Sequence, residues 1–105
     1  MEIFFGDGEY IEGEKVFQGT IVLSEYKLFL KSSQRELPQT YIPLEKINRV
    51  RRSSKGVGIQ FKTTVLARYS VLLRGEKKYL NELVREIIKR RNLKKRFFLN
   101  EWVEV

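Results

Sequence analysis

The hydrophobic period of this chain changes once, and that change limits most of what it can fold into. Between Lys15 and Arg74 a series of short runs, separated by polar turns such as "SSQRELPQ" (32–39), has apolar residues at every second position, whereas from Leu80 they recur at helical spacing. Phe17, Gly19, Ile21 and Leu23 fall on one side of an extended segment, with Gln18 and Thr20 opposite. After a tight connection at Ser24-Glu25, Tyr26, Leu28 and Leu30 face one way, and Lys27 and Lys31 face the other. The pattern is that of a β-hairpin with one wet face. Thr40, Ile42 and Leu44 read as a short strand, in which Pro43 lacks an amide donor and belongs at an end or edge. Ile47 to Arg52 follows, with Val50 inward and Arg49 and Arg51 outward. Val57, Ile59, Phe61 and Thr63 then alternate with Gly58, Gln60 and Lys62, and Tyr69, Val71 and Leu73 share a face of the run from Arg68 to Arg74. Thr64-Val65-Leu66 reads equally as loop or strand.

Leu80, Leu83, Val84, Ile87 and Ile88 form the stripe of an amphipathic helix, entered after Gly75 and stopped near Asn92. Lys89, Arg90 and Arg91 sit where the helix dipole favours cations, and Glu86 stands four residues before Arg90. At the other terminus Gly6-Asp7-Gly8 reads as a turn, and Ile3, Phe4 and Phe5 as a short strand or an apolar plug. The expected fold class is α+β and mostly β: six or seven short antiparallel strands that close or fold over on themselves, then one C-terminal helix.

Composition narrows the chemistry. A chain of 105 residues with 42% hydrophobic and 32% charged residues suits one globular domain, residues 1–105, with its own core. It has no cysteine and no histidine, so thiolate chemistry is excluded and the commonest general base and metal ligand are missing. No catalytic, cofactor or metal site is expected, nor a small-molecule substrate, because no nucleophile has an oriented base at useful spacing. No apolar run approaches the ~20 residues of a membrane span, and the acidic start lacks a signal-peptide pattern. A cytoplasmic protein is expected, with peripheral membrane association as one reading.

The net charge of +8 is unevenly spread: residues 1–14 hold five acids and no base, while residues 15–100 hold all 21 bases and six acids. A basic body suits nucleic acid, anionic lipid or an acidic protein, and the acidic N-terminal segment is placed to fold back onto it.

Four stretches in order carry a resemblance: "GTIVLSEYKLFL" (19–30), "YIPLEKINRV" (41–50), "GVGIQFK" (56–62) and the 80–88 helix. Together they resemble the pleckstrin-homology (PH)-like superfamily, closest to its GRAM and prokaryotic PH-like branches. The match covers roughly residues 15–91, and Ile42-Pro43-Leu44 followed by Ile47 is its most telling part. Residues 1–14 and 93–105 lie outside it. The resemblance implies a partly open antiparallel β-barrel of about seven strands capped by one C-terminal helix. It also implies a non-enzymatic binding module, since such domains bind phosphoinositides in some members and proteins or peptides in others. Lipid-binding members place Lys and Arg around the first hairpin loop. Here that loop, read as "LSEYK", carries Glu25 and only Lys27 nearby, which argues against phosphoinositide recognition there.

Two basic stretches are the candidate binding surface. Arg49 and Arg51, near Arg52 and Lys55, suit an anion through their guanidinium forks, or form the solvated face of a strand. Alternation divides the group, because Arg52 falls on the other face or twists free near the turn. The second stretch is Arg85, Lys89, Arg90, Arg91, Lys94, Lys95 and Arg96, followed by Phe97, Phe98 and, farther on, Trp102. It suits an acidic protein, a membrane surface or nucleic acid, or else is a dipole-matched helix end with an apolar tail packed on the body. The tail aromatics anchor a partner or second subunit, or pack against Ile3, Phe4 and Phe5 in an antiparallel pairing of the termini. A protein partner or homo-oligomer is the leading expectation, with anionic lipid second and nucleic acid third.

Overall fold

The computed structural model describes residues 1–63 and 67–91, together with the backbone of 102–104. Thr64-Val65-Leu66 and the helix stop at Asn92 lie outside the described residues. Strand β1 (Ile3–Glu12) pairs antiparallel with β2 (Lys15–Leu23), Ile3 opposite Leu23 and Glu12 opposite Lys15, around the two-residue turn Gly13-Glu14. Strand β3 (Lys27–Ser32) follows β2, and the short strands β4 (Arg35–Glu36) and β5 (Ile42–Pro43) both pair with β3. A meander of β6 (Ile47–Ser53), β7 (Gly56–Lys62) and β8 (Arg68–Gly75) joins the first half where β8 meets β1, Gly8 opposite Gly75. Strand β9 (Trp102–Glu104) adds to the outer edge of β6. The order β4-β3-β2-β1-β8-β7-β6-β9 runs from end to end without closing into a ring. Helix α1 (Lys77–Arg91) packs against β1, β6, β7 and β8.

Helix α1 buries Leu80, Leu83, Val84 and Ile87 in one cluster with Phe5, Tyr10, Ile21, Leu30, Val50, Ile59 and Leu73 from the sheet. Each such side chain removed from water contributes about 2 kcal/mol, so the helical stripe is the main force holding the cap. The stripe is the one read from the spacing, with Ile88 only half-buried at its rim.

Three local expectations are corrected. Gly6-Asp7-Gly8 is no turn: β1 runs through it, and its register against β2 shifts between Phe4 and Asp7. Gly6 adopts φ +75°, and a Cβ there would lie 2.9 Å from Cδ2 of Tyr79 on the helix. A glycine in the left-handed region thus bends β1 as a bulge and lets the Tyr79 ring seat against bare backbone. The strand read over Thr40–Leu44 is only β5, flanked by 3-10 turns at Pro38–Thr40 and Leu44–Lys46. Thr40 is buried because its Oγ1 accepts from the Leu30 amide and donates to the Leu37 carbonyl, both at 2.8 Å. It thereby supplies a hydrogen bond that no neighbouring strand gives β3 at that point. Finally, where the tail is described it does not pair with the N-terminal strand, since β9 lies on β6 while β1 lies between β2 and β8; Phe97 and Phe98 lie outside the described residues. The N-terminal acids meet cations within the sheet instead: Glu2 with Lys31 at 2.7 Å and Glu9 with Arg74 at 3.9 Å.

Tyr10 gives the fold a pH dependence. Its side chain is buried, edge-on to Phe17 at 6.1 Å, and burial, with Glu12 adding repulsion, pushes the phenol from 10.0 up to about 12. The folded state holds this proton more tightly than the unfolded chain. The associated stability is therefore full below pH 10.0 and is lost as pH rises through about 12. Denaturant unfolding below and above this window should show the native chain losing on the order of 2 kcal/mol more than Tyr10→Phe. A parallel decline in both chains would remove Tyr10 from the account.

Candidate functional site

The end of α1 is fastened to the barrel by the cations read as a contact run. Arg90 Nε donates to Glu86 Oε1 at 3.0 Å, and its Nη1 donates to the Ser24 carbonyl at 2.8 Å. Arg91 Nε donates to the Ile47 carbonyl at 3.0 Å. Both guanidiniums are half-buried, and their acceptors belong to the β2–β3 turn and the first residue of β6. Charge-assisted bonds of this kind are roughly twice as strong as neutral ones, so Arg90 and Arg91 act as staples as well as surface charge. Arg85 and Lys89, on the same helix, are exposed. Lys94, Lys95, Arg96, Phe97 and Phe98 lie outside the described residues.

Strand β6 brings the two basic stretches together. Arg91 holds its first carbonyl, and its outer edge receives β9. In register, Arg49 lies opposite Glu104, Val50 opposite Val103, and Arg51 opposite Trp102. Val50 points into the core, so Arg49 and Arg51 take the other face, both half-buried, as alternation predicts. Arg52 pairs with Val57 near the β6–β7 turn. The register of β6 slips between Ile47 and Arg49, and there Asn48 Oδ1 is buried with no hydrogen-bond partner among the described residues. An acceptor of that kind is satisfied at low cost by an incoming donor.

Sequence reading missed β9, whose three residues are too few for a period, and it missed Tyr26 as a surface feature. Tyr26 is 77% exposed in the turn that Arg90 grips, so an aromatic tip stands beside the basic helix end. It also misplaced the first hairpin. The first turn is Gly13-Glu14, flanked by Glu12 and Lys15, so two acids stand there against one cation, and "LSEYK" forms the second. Lys27 there is engaged by Glu36 at 2.5 Å and lies over the rings of Phe29 and Tyr41. Neither turn presents the cations that a phosphoinositide site at the first hairpin would need. Ser53 is likewise committed, its Oγ accepting from the Lys55 amide at 3.2 Å and donating to the Gly56 carbonyl at 3.3 Å.

No protein-family model and no curated protein matches the chain. A solved structure does: the chain is similar to the DH/PH domains of p115-RhoGEF at a TM-score of 0.64 and 14% identity. The similarity covers 92% of this chain, which spans 31% of that chain. The fold is PH-like. The N-terminal strand, which lay outside the sequence match, belongs to it, because β1 is the strand that joins the two halves of the sheet. Among the described residues no helix is long and apolar enough to cross a membrane, and no acidic cluster fit to hold a metal ion is present.

Proposed function

We propose that this chain is a non-enzymatic PH-like binding module that works through protein–protein contact, with the outer edge of β6 as its docking element. The supporting observation is the pairing of β9 with β6, which sets Glu104 opposite Arg49. An exposed strand edge offers a row of amides and carbonyls that an extended segment fills by strand addition. Opposite charges at facing positions of an antiparallel pair add roughly 0.2–1 kcal/mol each. The edge therefore suits an extended acidic segment: the chain's own C-terminus, that of a second copy, or an acidic partner.

The chain has one tryptophan, Trp102, and it lies in the docking segment. A chain ending at Asn92 is then dark at tryptophan wavelengths, and a peptide of residues 99–105 reports its own binding. Saturable binding of this peptide, weakened when Glu101 and Glu104 are changed to lysine, is the expected result. Light scattering of the full and shortened chains assigns the contact. A mass that falls from dimer to monomer on shortening means a strand exchanged between copies, and an unchanged monomer means a strand held within one chain. Failure of the peptide to bind would defeat the docking reading.

Peripheral binding to anionic lipid is the second reading, and the placement of exposed Tyr26 beside the basic helix end favours it. Cations near an anionic bilayer contribute about 1 kcal/mol each. That reading requires vesicle co-sedimentation that rises with anionic lipid and falls with salt.

A further inference from the structure

A cleft of about 470 Å³ opens where β1, the β6–β7 turn, the end of β8 and the start of α1 meet. We propose that this cleft binds a phosphomonoester group. Three cations reach it from three separate elements: Lys55 from the turn, Arg74 from β8 and Lys77 from the first position of α1. One carboxylate, Glu9, faces them, and it is already shared, its Oε1 3.9 Å from Arg74 Nε and its Oε2 accepting from Gln18 at 3.5 Å. Lys55 and Lys77 are exposed and have no ion-pair partner among the described residues. Three cations gathered on one concavity against a single carboxylate leave a net positive charge, and the site becomes favourable when a compact anion enters.

The chemistry of the lining selects the anion. A phosphomonoester carries up to two negative charges at neutral pH and has three acceptor oxygens. One guanidinium fork and two ammonium groups match that set better than they match a single carboxylate. The volume lies within the roughly 300–1,000 Å³ range of small-ligand sites, so the phosphate has room to be carried on an organic body. Gly8, Gly56 and Gly75 line the cleft with backbone, and Leu80 supplies an apolar patch for that body. The cleft lies at the start of α1, whereas Arg90 and Arg91 fasten its other end, about 20 Å away along the helix. It is therefore separate from the helix-end surface and does not depend on strand docking at β6.

The test is a heteronuclear NMR titration of the full chain with glycerol 3-phosphate, which carries the group in soluble form, and with glycerol as control. Saturable shifts are expected at the amides of Gly8, Ser54, Lys55, Gly56, Gly75 and Lys77, and none with glycerol. Lys55→Ala and Lys77→Ala should each weaken binding about tenfold, while Lys62→Ala, which removes an equal charge from the exposed end of β7, leaves it unchanged. All three side chains are exposed, so the dispersion of the same spectra verifies the fold. Phosphatidylcholine vesicles with and without phosphatidic acid distinguish the source. Retention that depends on phosphatidic acid and is lost in Lys77→Ala identifies a lipid headgroup, and soluble binding without retention identifies a free organophosphate. Absence of saturable shifts, or equal weakening by Lys62→Ala and Lys77→Ala, overturns the proposal.

Discussion

Replacing Leu83 with alanine is expected to destabilise the fold by about 3 kcal/mol in urea denaturation. Leu83 is completely buried, and it shares its cluster with strand residues from both halves of the sheet. The sheet is an open path, so the surroundings of Leu83 are built by the helix and strands together. Neither can close over the missing methyls without giving up other contacts, and a cavity persists. The same substitution should loosen the far end of α1, where the bonds of Arg90 and Arg91 to Ser24 and Ile47 depend on the helix lying flat. Amide exchange at the helix end should therefore quicken. Arg85→Ala on the exposed face should stay within about 0.5 kcal/mol of the native chain. A loss below about 1 kcal/mol for Leu83→Ala would mean that the cap contributes little to the barrel.

Gly19→Ala should be nearly as damaging, roughly 2–3 kcal/mol. A Cβ at Gly19 would lie 2.4 Å from the Lys31 carbonyl oxygen and 3.1 Å from its carbonyl carbon. These are backbone atoms of β3, next to the Thr20–Lys31 pair of the β2–β3 ladder, and they cannot rotate aside as a side chain can. The strands must part, and ladder hydrogen bonds along Ile21 and Val22 weaken with them. For a domain of this size a thermal melt should shift down by roughly 10–15 °C. An unchanged midpoint would show that β3 moves freely, against its place between β2 and the short strands β4 and β5. Gly19 entered the sequence argument as a member of an alternating pattern, where its lack of a side chain looked incidental. The reason for it lies across the ladder, twelve residues away.

The same division runs through the candidate site. That α1 ends in Lys89, Arg90 and Arg91 was legible, because the preference for cations there is set within one turn. That two of them bond the Ser24 and Ile47 carbonyls was not, because those acceptors lie 66 and 44 residues away. Arg49 and Arg51 were assigned to a common face by alternation alone, and β6 keeps that alternation from Arg49 to Arg51, past the irregularity at Asn48. Their facing of Trp102 and Glu104 depends on a three-residue strand with no period to read. The convergence of Lys55, Arg74 and Lys77 on one cleft left no trace in the spacing of those residues.

Hydrophobic period is local information. It carried the alternating strands from Lys15 onward, the helical stripe and the mostly-β class, because every residue that sets a period lies within one or two turns of its neighbours. Pairing is not local. Gly6-Asp7-Gly8 has the composition of a turn, and only the Tyr79 ring and the ladders to β2 and β8 hold it in a bent strand. The choice of the tail for the β6 edge and the meeting of three cations at the start of α1 were likewise settled in three dimensions. Each of them is a contact between residues whose separation along the chain far exceeds any repeat, so its energy exists only once the barrel has formed.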